Sequence, residues 1–181
     1  MERELVERAM HGDEEAFDAL VGGIGDSLHS VARRILRDTT LAQDATQQAL
    51  LDAWRFLPTL RDPDRFEAWT HRLLVNACYA EARRERRHHG NLRLLGRDDF
   101  EADATSRVAT HDQIDRGFRR LSVEHRTVVV LVHYLGLTPT EAADRMGTPA
   151  GTARSRLHYA LQQLRSALEA DARPATARGT A

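Results

Sequence analysis

Apolar positions recur along this chain at intervals of three and four residues, without the sustained alternation of a half-buried strand, and this pattern predicts helices throughout. The best punctuated stretch is residues 137–168. Thr138, Pro139, Thr140 and Glu141 have the composition of a capping box with proline at the first helical position, where its missing N–H is no loss. Gly147 suits the left-handed end of that helix, Thr148 a cap for the next one and Pro149 its first turn. In the second helix Ala153, Leu157, Ala160, Leu161, Leu164 and Leu168 share one side, which leaves Thr152, Arg154, Ser155, Arg156, His158 and Tyr159 away from the core. The pattern predicts a helix-turn-helix. Upstream, the apolar run 128–132 is the one segment that also suits a strand; Ser122 as a cap and Gly136 as a stop make it a helix over 127–134.

Two earlier helices stand out. Over residues 42–57, Ala42, Ala45, Ala49, Ala53, Trp54 and Leu57 make an apolar face, while Asp44, Gln48 and Asp52 recur every four positions on another. That polar stripe reads either as a solvated face or as a docking surface for a basic partner helix. The second helix is opened by Asp62 and Pro63 and meets no breaker before Arg87. Phe66, Trp69, Leu73, Ala77 and Ala80 fall at packing intervals, and Arg72, Asn76, Tyr79, Arg83 and Arg86 climb a different side. An aromatic ring, an amide and guanidinium groups in one line suit unpaired nucleic acid, whose bases stack on rings and whose phosphates pair with Arg. Arg83, Arg84, Arg86 and Arg87 also complement the negative end of the helix dipole, but four mutually repelling charges exceed what that effect needs.

Around residues 88–111 the periodicity fails: Gly90, Asn91 and Gly96 interrupt it, and Asp98, Asp99, Glu101 and Asp103 gather negative charge. The expected organisation is all-α, with two small helical domains at 1–87 and 112–168, a flexible acidic linker at 88–111 and a disordered tail at 169–181.

Composition narrows the function. The 181 residues carry a net charge of −1, and their basic side chains are all Arg. A free-standing DNA-binding domain usually has a basic excess; this chain is basic only in patches. Between residues 149 and 167 there is no Asp or Glu beside Arg154, Arg156 and Arg165, as a helix lying against phosphates requires. Arg reads guanine edges and phosphates, and Ser and Thr either. Cys78 is alone, so no intrachain disulfide or cysteine zinc site is expected, and His88 and His89 in an Arg-rich stretch read as surface rather than metal ligands. No metal, cofactor or catalytic residue is assigned, because neither a nucleotide loop nor a nucleophile elbow is present. The start of the chain lacks the basic and apolar regions of a signal peptide and no segment approaches membrane-spanning length, which leads us to expect a cytoplasmic protein with no membrane insertion.

Together these motifs resemble the extracytoplasmic-function sigma factors, small members of the bacterial sigma-70 class. Residues 12–17, 42–54 and 66–69 with Arg72 and Asn76 resemble the family's promoter-opening domain in order, and residues 118–121, 137–143 and 151–157 its second conserved domain. The resemblance implies that Asp44, Gln47, Gln48 and Asp52 dock on the β′ clamp of core RNA polymerase. It implies that the loop at 58–65 and Trp69, Arg72, Asn76, Tyr79, Arg83, Arg86 and Arg87 capture and melt the minus-ten element. The linker would thread toward the polymerase active centre, and the C-terminal domain would sit on the β flap and read minus-thirty-five duplex through Thr152, Arg154, Ser155, Arg156, His158 and Tyr159. An anti-sigma factor is a further implied partner. Gln43 and Gln48 stand where the family usually has acids, Thr70 where it has an apolar residue, and residues 21–25 interrupt a normally continuous helix, so a kink or local flexibility is expected there. The alternative is a stand-alone helix-turn-helix regulator with an N-terminal ligand or partner domain. A single helix-turn-helix buries only about 600–1,000 Å² on DNA, whereas tethering two weak readers to one platform raises affinity by about 10² to 10⁴. The line at Arg72, Asn76 and Tyr79 favours the tethered arrangement.

Overall fold

A computed structural model describes residues 2–94 and 109–172, and among them every regular element is helical. The N-terminal half holds α1 (Glu2–Met10), α2 (Glu14–Leu36), α3 (Thr39–Phe56) and α4 (Phe66–Leu94); the C-terminal half holds α5 (Ala109–Arg120), α6 (Val123–Val129), α7 (Pro139–Met146) and α8 (Ala150–Ala172). Their starts are written in the sequence. The Asp13 carboxylate accepts from the Ala16 N–H at 3.0 Å, Asp38 caps α3 through the Leu41 N–H at 2.8 Å, and Asp62 caps a short 3-10 turn, Pro63–Arg65, that feeds α4. Glu14 and Glu15 in the first turn of α2 and Arg33 and Arg34 in its last also complement the helix dipole.

Several helix ends differ from the sequence reading. Residues 21–25 do not break their helix: α2 runs on through Gly22, Gly23 and Gly25, because its caps and the buried Ala16, Leu20, Leu28 and Val31 hold it on both sides. Helix α4 continues past Gly90 and Asn91 to Leu94, and α8 past Leu168 to Ala172; a single glycine weakens a helix without ending it when neighbours favour it. The rest of the expected linker, residues 95–108, and the tail from residue 173 lie outside the described residues. The helix expected over 127–134 divides in two: α6 is followed by a π-helical turn, Val130–Tyr134, in which the Leu135 N–H reaches the Val130 carbonyl at 3.1 Å. Thr148 does not cap α8, since its Oγ1 is buried without a partner.

The two halves share their hydrophobic core. Leu28, Val31, Ile35, Ala45, Leu74 and Cys78 from α2, α3 and α4 pack with Val123 and Val130 of the C-terminal half. In turn Val75 of α4 is fully buried among Val128, Leu131, Ala143, Met146 and Ala153. A third cluster joins Val6, Ala9, Ala16, Leu20, Leu57, Leu60 and Phe66 around α1 and the approach to α4. Polar contacts reinforce the junction of the halves: Arg37, in the left-handed region at φ 61° where α2 ends, pairs with Asp115 at 3.3 Å, and the Arg34 guanidinium lies 3.7 Å from the Tyr134 ring centroid. Helix α7 therefore rests against α4.

Candidate nucleic-acid and polymerase-binding surfaces

On α3 the buried Ala42, Ala45, Ala49 and Ala53 turn the opposite side outward. Asp44, Gln47 and Gln48 are exposed and Asp52 is half-buried; the Gln48 amide donates to the Asp52 carboxylate at 3.0 Å. Trp54 does not pack as its place on the apolar face predicts. It is 37% exposed, with its ring centroid 4.9 Å from that of Phe17. With Leu51, which is 57% exposed, it lines an apolar groove of about 690 Å³ between α2 and α3, together with Val21, Gln43, Gln47 and Leu50. Exposed apolar side chains clustered beside polar ones mark a docking surface. Leu51 follows Gln47 and Gln48 by one turn, a repeat that was legible in the sequence and that polar periodicity alone passes over.

Helix α4 carries the longer line. Phe66, Leu74, Val75, Ala77 and Cys78 are buried, Leu73 is half-buried and Ala80 is exposed rather than packed. Arg72, Asn76, Arg83, Arg86 and Arg87 are exposed, and Arg86 Nε donates to the Ala82 carbonyl one turn back at 3.1 Å. Trp69 is half-buried, its ring 6.2 Å from that of Phe66. Tyr79 departs from this exposed line: it packs against both shared clusters, and its hydroxyl is buried beside Thr127 without a well-formed hydrogen bond. Burial pushes its phenol above the usual range. The Arg72 guanidinium lies 3.8 Å from where a Cβ on Gly147 would stand, beside the turn of the helix-turn-helix. The C-terminal half thus covers part of the line.

Thr70 and His71 were not singled out by periodicity as buried polar groups. The Thr70 hydroxyl donates to the carbonyls of Phe66 and Glu67 at 3.1 and 3.0 Å, so its burial is satisfied within the helix. His71 is 5% exposed and its Nε2 has no partner; burial lowers its pKa, Glu67 opposes that shift, and Arg145 of α7 adds to it. Cys78 is sealed in the core, and burial pushes its thiol up to about 12, which makes it unreactive as a nucleophile.

In the helix-turn-helix, Thr138 forms the complete capping box: the Glu141 N–H donates to its Oγ1 at 3.2 Å, and its own N–H donates to the Glu141 carboxylate at 2.8 Å. Gly147 takes φ 61° and ends α7. At the start of α8, Ala153 is fully buried and fixes the helix's rotation. Arg154, Ser155, His158 and Tyr159 are exposed, and Thr152 and Arg156 half-buried. Neither Arg154 nor Arg156 has an ion-pair partner among the described residues. Ala160 and Ala167 carry the packing farther along; Leu161, expected inside, is 40% exposed. The exposed set at the N-terminal end of α8 has the position and donors to enter a major groove.

Residues 20–88 match the family profile described as sigma-70 region 2, and residues 117–166 that described as sigma-70, region 4. The ECF RNA polymerase sigma factor SigM of Mycobacterium tuberculosis is 34% identical over 163 residues, which span 89% of this chain and 81% of that protein. Among solved structures, CnrH in complex with the cytosolic domain of CnrY superposes with a TM-score of 0.68 at 27% identity, covering 94% of this chain and 99% of that one. The sigma factor RpoE of Bartonella quintana, in complex with the anti-sigma factor NepR, shares the fold at a TM-score of 0.68 and 21% identity, covering 86% and 98%.

Proposed function

The chain belongs to the extracytoplasmic-function sigma factors of the sigma-70 class, and from that premise we propose how its named surfaces divide the work of promoter recognition. It is an alternative sigma factor that binds core RNA polymerase, recognises promoter DNA and initiates transcription. Asp44, Gln47, Gln48 and Asp52 on α3 dock the β′ clamp, with the groove at Leu51 and Trp54 receiving apolar side chains from the same partner. The segment at 58–65 and Trp69, Arg72, Asn76, Tyr79, Arg83, Arg86 and Arg87 hold the melted minus-ten strand, bases against the rings and phosphates against the guanidiniums. Thr152, Arg154, Ser155, Arg156, His158 and Tyr159 read the minus-thirty-five duplex while the C-terminal half rests on the β flap. The protein works in the cytoplasm, where polymerase and promoter meet. It contributes binding energy and no catalytic group, leaving the chemistry to polymerase. The complex of CnrH with the cytosolic domain of CnrY supports a protein partner for this chain as well, which the family resemblance makes an anti-sigma factor.

The observation that carries this assignment is the pairing of two exposed donor sets, on α4 and α8, within one chain whose overall charge is −1. The chain as a whole lacks the basic excess for strong independent binding by either set, so a common platform is needed. Purified chain added to core polymerase and a promoter library yields transcripts with defined start sites; a chain that forms no polymerase complex and directs no such transcript overturns the assignment.

A further inference from the structure

Where the approach to α4 faces α7 there is a cleft of about 480 Å³, a volume suited to a nucleotide-sized ligand. Arg61, Arg65, Trp69 and Arg72 line one side, and Asp144 and Arg145 of α7 the other. None of these four guanidinium groups makes an ion pair among the described residues. Arg145 Nε is buried with no acceptor. Asp62, also at the cleft, is engaged with the Asp64 N–H at 3.1 Å, whereas the Asp144 carboxylate has no side-chain partner among the described residues. The cleft therefore holds four cations against two carboxylates, an indole, and an unmet buried donor. Guanidiniums fork onto phosphate oxygens, an indole stacks on a base, and a free carboxylate accepts the paired N–H groups on the Watson–Crick edge of guanine.

We propose that the closed chain binds a free guanine nucleotide with at least two phosphates in this cleft, clasped between α4 and α7. Because both halves supply contacts, the ligand favours the closed arrangement by its differential affinity for it. The wall formed by α7 makes the site a pocket for a small molecule, whereas a promoter strand needs α7 withdrawn. This regulatory consequence rests on the assignment of Trp69 and Arg72 to the minus-ten strand; binding itself does not.

Calorimetric titration of the full chain with GDP, ADP, inorganic pyrophosphate and guanosine tests the site. GDP binds with one-to-one stoichiometry, at least tenfold more tightly than each of the other three, and raises the melting temperature of the chain. Arg145→Ala weakens GDP at least tenfold, and Asp144→Asn brings GDP and ADP to equal affinity. Both variants retain promoter-dependent transcription with core polymerase, so loss of the site and loss of sigma activity are read separately. Absence of GDP binding at millimolar concentration, equal binding of GDP and pyrophosphate, or GDP binding indifferent to Arg145→Ala each overturns the proposal.

Discussion

Arg154 stands exposed on the first turns of α8 with no ion-pair partner among the described residues, and a guanidinium set bidentate on guanine, the role proposed for it, discriminates that base from others by about 1–3 kcal/mol. Arg154→Ala is therefore expected to lower transcription from an intact promoter by about 5- to 150-fold. The same variant should be nearly indifferent to mutation of the minus-thirty-five sequence, and an undiminished response to such mutations would remove Arg154 from base readout. His71 gives a prediction of another kind. Its pKa lies below the usual 6.5 because burial disfavours the cation, with Arg145 adding to the effect and Glu67 opposing it. The unfolded chain then binds the proton more readily than the folded one, so His71 leaves stability intact above pH 6.5 and subtracts from it as pH falls toward its folded pKa. Chemical denaturation from pH 7.5 to pH 5 should show this loss, and His71→Gln should lose less over the same interval; identical slopes would place the pH dependence elsewhere. The burial of His71 was not legible from spacing, since it depends on α7 closing over α4.

At the level of single helices, caps were legible and continuity was not. Ser122 and Thr138 act as the sequence predicts because a cap is settled by its own turn, as the 3.3 Å bond from the His125 N–H to Ser122 Oγ illustrates, whereas Thr148 is buried without capping α8. The fate of Gly22, Gly23 and Gly25 depends on residues a turn or more away, and the packed ends of α2 override their local preference. No atom lies within 4 Å of a Cβ placed on any of these three. Alanine at each should consequently stabilise the chain by about 0.5–1 kcal/mol, mainly by restricting the unfolded state. Thermal denaturation of Gly22→Ala and Gly23→Ala measures it, and a lowered melting temperature would mean that α2 depends on glycine here. Trp54 and Leu161 make the same point from the other direction: helical spacing places a side chain on a face, and only the neighbouring helices decide whether that face is covered. The polar surfaces were read from the sequence more fully. The polar residues expected outside on α3, α4 and α8 are exposed or half-buried as its periodicity predicts, apart from Tyr79, which α6 helps to enclose.

For the whole molecule the decisive fact is the shared core. The minus-ten and minus-thirty-five elements are centred about 25 base pairs apart, or about 85 Å of duplex at 3.4 Å per pair, whereas α7 here touches α4. On the proposed assignment of α4 and α8, the two surfaces reach both elements only when Val75 and Tyr79 leave the cluster around Met146 and Ala153. Placing a carboxylate in that cluster costs about 3 kcal/mol or more. Val75→Asp should therefore separate the halves while each stays helical, seen as a larger radius of gyration in small-angle scattering with little change in circular dichroism; an unchanged scattering profile would mean that the contact is not what holds them. The energy of this contact also has a quantitative effect on supply. A binding-competent form present as a fraction of the chain weakens apparent affinity for polymerase by that same fraction, and each 1.4 kcal/mol of closure is a factor of ten. Side chains such as Val75 and Val123, remote from the proposed polymerase and promoter contacts, thereby act as a gain control: changing their packing would alter how many copies must accumulate before the regulon responds, with every promoter sequence left as it is.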